Sequence, residues 1–297
     1  MKILIIGSKG FIGSHCVSYF SANHDVWQCD IEVDYTTSNY FQVDATNADY
    51  SDVFQQQTFD VCINCSGAAS VPDSIKNPQR DFMLNTVNVF RQLDAIRKYS
   101  PNCKYIHMSS AAVYGNPKYL PIDENHPLSP ISPYGIHKKI AEEICQSFYD
   151  NYHLKTCSLR VFSAYGEGLK KQLFWDLYKK AQTNNTVSLY GTGNETRDFI
   201  CVSDVVYAID GVIKKSNFKH DIYNIANGEE LKIKDVAQTF FDIYKPEVVI
   251  EFQNQERKGD PINWVADTKK IKNLDFISHI SLKEGLTKYV KWLKEDV

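Results

Sequence analysis

No apolar run in this chain approaches the roughly 20 residues that a membrane-spanning helix requires. The first run, Ile3–Ile6, is too short for the apolar core of a secretion signal, so a membrane or exported role is not expected. Lysine and arginine never cluster far enough to track a phosphate backbone. With 33 basic against 36 acidic residues the net charge is −3, and nucleic acid is not an expected partner. Internal repeats, low-complexity tracts and charge runs are also missing. No linker rich in Gly, Ser or Pro divides the chain, so two halves, if present, are interwoven. A second metal-ligand pair is lacking as well. Cys62 and Cys65 have the spacing of a redox or zinc motif, but they fall on an apolar strand whose side chains alternate faces. The expectation is no metal, and eight scattered cysteines kept as reduced, buried thiols in a cytoplasmic protein.

What is present begins at the N-terminus. The strand-like run Lys2–Ile6 breaks into Gly7-Ser8-Lys9-Gly10-Phe11-Ile12-Gly13. Gly7 permits a tight turn, Gly10 lets a pyrophosphate approach the backbone, and Gly13 lets a helix pack closely on a sheet. The phosphates would rest on the unpaired amides of the new helix. Three glycines alone are also found in ordinary α/β turns. Here a strand precedes, an amphipathic stretch follows, and Asp30 closes the second strand at the distance of a ribose-binding acid. A carboxylate there repels a 2′-phosphate and favours NAD, whereas Lys9 in the same turn is a signal towards NADP. Beyond it, strands at Lys2–Ile6, Asp25–Cys29, Tyr40–Val43, Val61–Cys65, Lys104–Met108 and Thr156–Val161 alternate with helices near 12–21, 46–56, 81–99 and 134–153. That alternation predicts an α/β, Rossmann-type doubly wound parallel sheet. After Arg160 shorter strands (187–190, 222–225, 248–252) mingle with helices at 171–183, 203–214, 233–244 and from Leu282. The division expected is 1–162 for the dinucleotide-binding part with its catalytic helix, and mainly 163–297 for a smaller interwoven α/β substrate domain.

Tyr134 and Lys138 lie four apart on one predicted helix and so share a face. A free tyrosine ionises near pH ~10; a neighbouring ammonium stabilises its phenolate and moves it towards use as a base. This spacing also arises by chance in surface helices. Upstream, however, the strand from Tyr105 ends in Ser109-Ser110, which delivers a hydroxyl to the carboxyl edge of the sheet.

With these motifs the chain resembles, over essentially its whole length, the extended short-chain dehydrogenase/reductases, in particular the nucleotide-sugar epimerase/dehydratase branch. The resemblance implies Ser110, Tyr134 and Lys138 as the catalytic triad. It implies a cofactor site of Gly7, Gly10, Phe11, Ile12, Gly13, Asp30, Asp44, Ala45, Ser66, Gly67, Ala69, Asn85, Tyr134, Lys138 and Phe162. Substrate would meet Ser110, Tyr134, Ser163, Arg197, Arg257 and Asp260. The two arginines would clamp the diphosphate of a nucleotide sugar, and Asp260 would hold its nucleoside ribose.

Departures from the family pattern select the reaction. The 4,6-dehydratases have an Asp-Glu pair after the catalytic serine or threonine, where this chain has Ala111 and Ala112. Ser163 replaces the usual asparagine, and His137 precedes Lys138 from a position off the catalytic face. The expectation is an NAD-dependent 4-epimerase: Tyr134 takes the C4 hydroxyl proton, hydride leaves C4 and returns to the other face. The alternatives are an NAD(P)H-dependent 4-keto-6-deoxy nucleotide-sugar reductase and a cofactor-sensing regulator without the base chemistry. Residues at helical spacing along 81–99 (Phe82, Asn85, Val89, Leu93, Ile96) and an apolar stripe along 134–150 (Ile136, Ile140, Ile144, Phe148) raise a homodimer, or simply core.

Overall fold

The computed structural model describes residues 1–44, 48–255 and 261–297. The first apolar run is strand β1 (Lys2–Ile6), and its side chains alternate between two cores: Ile3 and Ile5 enter one, Leu4 and Ile6 the other. A strand covered on both faces needs no polar side, which is why the run is continuous. Helix α1 (Phe11–Phe20) follows, then β2 (Asp25–Asp30), β3 (Tyr40–Gln42), α2 (Ser51–Gln56) and β4 (Val61–Asn64). Next come α3 (Val71–Lys76), α4 (Pro78–Phe82), α5 (Asn88–Tyr99), β5 (Lys104–Ser110), α6 (Pro133–Tyr152) and β6 (Thr156–Val161). The chain continues through β7 (Ser163–Tyr165), α7 (Gln172–Ala181), β8 (Thr186–Leu189), β9 (Thr196–Arg197), β10 (Phe199–Cys201) and α8 (Val202–Lys215). It ends with β11 (Lys219–Ile225), β12 (Leu231–Lys232), α9 (Ile233–Tyr244), β13 (Val249–Phe252), α10 (Lys269–Lys272) and α11 (Leu282–Glu295).

Seven strands form one sheet in the order β11-β6-β5-β4-β1-β2-β3, with every neighbouring pair parallel. Strand order reverses at β1, where the crossovers diverge and a crevice opens at the carboxyl ends. Register aligns Ile6 with Cys29 and Asn64, and Ser110 with Val161. The turns after β1, β2, β4, β5 and β6 therefore leave along one edge. On one face α1 and α8 bury Cys16, Phe20, Val205 and Ile209 against Ile106 and Leu159. On the other, α2, α5 and α6 bury Val53, Leu93, Ile96, Ala141 and Cys145 against Tyr105. A further core joins α7, α9 and α11 through Phe174, Leu177, Phe240, Phe241, Leu286 and Tyr289.

Several departures from the sequence reading bear on the site and the sheet. The helix expected over 81–99 is interrupted by a π-helical turn at Met83–Val87 that includes Asn85. Strand β5 runs two residues past Met108, so Ser110 is its last residue. The strand at Ile222–Ile225, read with the second half, begins at Lys219 and extends the large sheet beside β6. Helix α3 was not anticipated; Ser70 caps it by accepting from Asp73 N at 3.2 Å, next to Pro72 in the first turn.

Candidate active site

The glycine turn is packed to contact except on one side. Gly7 has φ +80°, and a Cβ there would lie 2.7 Å from Ser66 N; at Gly13 it would lie 2.0 Å from Gly7 O. At Gly10 the nearest atom to an added Cβ is Gly7 O at 3.2 Å, and the outer side is open. Helix α1 starts directly behind Gly10 with no side-chain cap and no acid in its first turn. The first-turn amides, at Phe11, Ile12 and Gly13, are thus available to an anion. Two buried side-chain oxygens near this edge, Ser8 Oγ and Asn85 Oδ1, have no hydrogen-bond partner. Asn85 is anchored through Nδ2, which donates to Ala68 O at 3.0 Å and Asp81 Oδ1 at 3.1 Å. Its Oδ1 lies 2.5 Å from where a Cβ on residue 67 would stand, so Gly67 (φ +117°) is required. An open glycine turn, an uncapped helix and orphaned acceptors are what a dinucleotide's phosphates and hydroxyls would complete.

The other residues expected to hold a cofactor line the same edge. Asp30 ends β2; its Oδ2 accepts from Lys9 N and its Oδ1 from Ile31 N, both at 2.7 Å. Asp44 stands just past β3, where Val43 N donates to Asp30 O at 2.9 Å. Ser66 donates from N and Oγ to Asn64 Oδ1, at 3.1 and 2.6 Å, which fixes the chain after β4, and Ala69 is exposed at the mouth. Lys9 does not reach Asp30 with its ammonium: Nζ pairs with Asp34 Oδ2 at 2.5 Å. That ammonium, with Thr36 and Thr37, holds Asp34 well below the usual carboxylate range. Ala45, Arg257 and Asp260 lie outside the described residues.

Ser110, Tyr134 and Lys138 meet because α6 begins against the turn that leaves β5. Ser132 caps α6 by accepting from Gly135 N at 3.2 Å, with Pro133 in the first turn. A Cβ on Gly135 would lie 2.5 Å from Ala112 O, so the glycine lets the helix rest on the 3-10 turn Ala111–Val113. The Tyr134 amide donates to Ser74 Oγ at 3.2 Å, tying α3 to the start of α6. Burial pushes the Tyr134 phenol up to about 12, against a hydrogen bond from the Ser110 side chain that pulls it down. Burial lowers Lys138 to about 8, opposed chiefly by Asp81. Its Nζ donates to Met108 O at 2.8 Å. His137 turns to Asp81, Nδ1 to Oδ2 at 2.5 Å, and serves the contact of α6 with α4.

The wall opposite is built from the chain after β6. Phe162 is buried with Ala111, Val113 and Tyr114, and the half-buried Trp264 packs edge-on against it. Ser163 starts β7 and donates its amide to Asp198 O at 3.0 Å. Arg197 lies over the Trp264 ring at 5.7 Å and donates to Thr196 O and Ile262 O, at 2.8 and 3.1 Å. Beneath them Asp198, fully buried, accepts from the amides of Asn227, Gly228 and Ala266 at 3.0, 3.0 and 3.1 Å. Burial lifts its pKa to about 7 against those amides. Arg160 grips Glu142 with Nε and Nη2 and donates through Nη1 to Tyr114 at 2.9 Å, locking β6 to α6 one turn beyond Lys138.

Sequence reasoning passed over Gly135, Ser74, Asp34 and Trp264. Gly135 had a signal, a glycine beside the candidate base in a helix start. Ser74 and Trp264 act through contacts at long sequence separation; Asp34 is shaped by local bonds to Thr36 and Thr37, but its pairing with Lys9 is long-range. Among the described residues no group of three or more His, Cys, Asp or Glu side chains could hold a metal ion, and no helix is long and apolar enough to cross a membrane.

Comparison with known proteins agrees with this geometry. Residues 3–226 match the model of the NAD dependent epimerase/dehydratase family. A Methanocaldococcus jannaschii protein named provisionally as a UDP-glucose 4-epimerase is 32% identical, with 99% of each chain covered. Among solved structures, a Bacillus cereus UDP-glucuronic acid 4-epimerase in complex with UDP-glucuronic acid and NAD is 26% identical. It superposes with a TM-score of 0.91 over 99% of each chain. A Thermus thermophilus UDP-glucose 4-epimerase in complex with NAD is 25% identical, with a TM-score of 0.88 over the full length of both. A family match across three quarters of the chain, on the sheet whose carboxyl edge gathers the glycine turn, Ser110, Tyr134 and Lys138, places this chain in the NAD dependent epimerase/dehydratase family.

Proposed function

We propose that the protein is an NAD-dependent nucleotide-sugar 4-epimerase that works by transient oxidation at C4 and hydride return. The observation that carries the reading is the meeting of Ser110, Tyr134 and Lys138 beside an open dinucleotide cradle, with alanines on the turn just after Ser110. Ala111 and Ala112 have no proton to exchange, so elimination lacks an acid and a base there. The names of the relatives support the same class.

Gly7, Gly10, Gly13 and the start of α1 would hold the pyrophosphate of NAD, Asp30 its ribose, and Asn85 and Lys138 the groups nearer the sugar. When bound, the cofactor supplies a reversible acceptor for the C4 hydride. Tyr134 takes the proton of the C4 hydroxyl and later gives it back, while Ser110 orients the oxygen. Lys138 stabilises the phenolate by its charge from one helical turn away. Phe162 and Ser163 would border the sugar, and Arg197, with Arg257, would receive the diphosphate. The oxidised sugar must turn over between the two hydride transfers, beside the wall assembled from residues 162–163, 197 and 264. A division into 1–162 and mainly 163–297, a homodimer and a cytoplasmic setting complete the proposal. All eight cysteines are free, which agrees with a reducing compartment.

The ketoreductase alternative drew its support from Lys9 as a phosphate ligand, and Lys9 is paired with Asp34. One experiment separates the two readings. Freshly purified protein is denatured to release nucleotide, and UDP-sugars are followed by NMR without added cofactor. Stoichiometric NAD and interconversion of C4 epimers are expected, with activity in Tyr134→Phe lower by about 10²-fold or more. A protein that releases no nucleotide and only consumes NADPH, or a folded Tyr134→Phe enzyme with normal turnover, overturns the proposal.

A further inference from the structure

We propose that Asp34 determines which cofactor ribose this site accepts: by holding Lys9 in an ion pair it withholds the cation that would receive a 2′-phosphate. The inference rests on the NAD reading above. Around the end of β2 the charged residues are Asp30, Glu32 and Asp34, with Lys9 on the glycine turn beside them, three carboxylates and one ammonium. The loop 31–39 contains no lysine or arginine. A phosphate arriving there carries about −1.5 to −2 charges, and it needs a cation to offset Asp30. Lys9 is placed to act, since its own amide is already fastened to the Asp30 carboxylate at 2.7 Å.

The Lys9 ammonium is instead turned away. Its Nζ contacts Asp34 Oδ2 at 2.5 Å and lies 5.3 Å from the centre of the Tyr40 ring. Asp34 is held in place independently of Lys9: its Oδ1 accepts from Thr36 N, Thr36 Oγ1 and Thr37 N, at 2.8, 2.8 and 3.0 Å. Thr37 Oγ1 adds a bond to Oδ2 at 2.8 Å. The Asp34 side chain is 9% exposed against 32% for Lys9, so the acid is the fixed partner and the lysine the guest. A 2′-phosphate would have to break this pair and would leave an uncompensated carboxylate beside itself. The 2′-hydroxyl of NAD asks only for the acceptors of Asp30.

The test reads binding. Wild type, Asp34→Asn and the double variant Asp34→Asn/Lys9→Met are each equilibrated with an equimolar excess of NAD+ and NADP+. They are then desalted and denatured, and the two released nucleotides are quantified. Asparagine keeps the Oδ1 acceptor used by the Thr36 and Thr37 amides and presents an amide in place of the oxygen that holds Lys9. Wild type should retain NAD almost exclusively. Asp34→Asn should raise the NADP:NAD ratio by at least about tenfold, a change equal to one lost or gained charge-assisted contact. The double variant should lose that gain. An unchanged ratio in Asp34→Asn overturns the inference, as does a gain that survives without Lys9, which would reflect only a removed negative charge. Wild-type protein that retains neither nucleotide refutes the cofactor reading and the inference with it, an outcome distinct from either of these.

Discussion

At the scale of single residues, the site couples two groups that burial pushes towards neutrality. Tyr134 is raised to about 12 and Lys138 lowered to about 8, both chiefly by desolvation. In the proposed reaction the Tyr134 phenolate would draw on the Lys138 ammonium, still protonated at neutral pH, and on the nicotinamide of the oxidised cofactor. The sign of the lysine effect is testable. The folded protein releases this proton near pH 8, the unfolded chain near 10.5, so between those values the unfolded chain binds more protons. The contribution of Lys138 to stability then rises with pH across that window and is least favourable below it. Urea unfolding of wild type and Lys138→Met should show the stability of wild type gaining on the variant from about pH 8 to 10, by roughly 2–3 kcal/mol. A constant difference would mean that the ammonium is solvated or paired in the fold.

Among the elements, α6 decides whether the chemistry assembles. Its N-terminus is set by the Ser132 cap, Pro133, the Ser74 hydroxyl on the Tyr134 amide, and the missing side chain at Gly135. Further along, the Arg160–Glu142 pair fastens it to β6. Gly135→Ala should cost about 1–3 kcal/mol, because the new methyl meets the Ala112 carbonyl at 2.5 Å. It should lower kcat more than a mere loss of stability explains, since the helix must lift Tyr134 away from Ser110. Chemical denaturation together with kcat measured well below the melting point checks both parts; normal kcat in a destabilised variant would show that the contact is only packing. The positions of α6, β5 and the glycine turn were legible in the sequence, because caps, alternation and glycine spacing are local signals. The π-helical turn at Met83–Val87 was not, since it answers to the contacts of Asn85 with Ala68 and Asp81.

For the whole molecule, the apolar stripes of α5 and α6 divide between two duties. Val89, Leu93, Ile96 and Phe148 cover the sheet, and Asn85 is buried. Phe82, Phe90 and Ile136 remain 38%, 49% and 44% exposed, with Ile140 and Ile144 half-buried beside them. Helices α4, α5 and α6 presenting such a face suit a self-complementary contact about a two-fold axis. Light scattering at micromolar concentration should give a dimer, twice the 34.0 kDa of one chain, and Phe90→Glu with Ile136→Glu should give a monomer that keeps the fold. A monomeric wild type would assign these side chains to the free surface.

The sequence alone determined the parallel α/β fold, the glycine turn, the pairing of Tyr134 with Lys138 on one helix face and the position of Ser110 at the carboxyl edge of the sheet. All of these follow from short-range periodicity and backbone stereochemistry. Tertiary structure decided the rest: that β11 returns to complete the large sheet, that Asp198 ties the Arg197 strand to the chain at 227–228 and 266, that Trp264 stands over Phe162, and that Lys9 faces Asp34. Each joins segments far apart in the chain or chooses among several partners within reach. Such a choice is made by burial and charge in the assembled molecule, for which local sequence has no code.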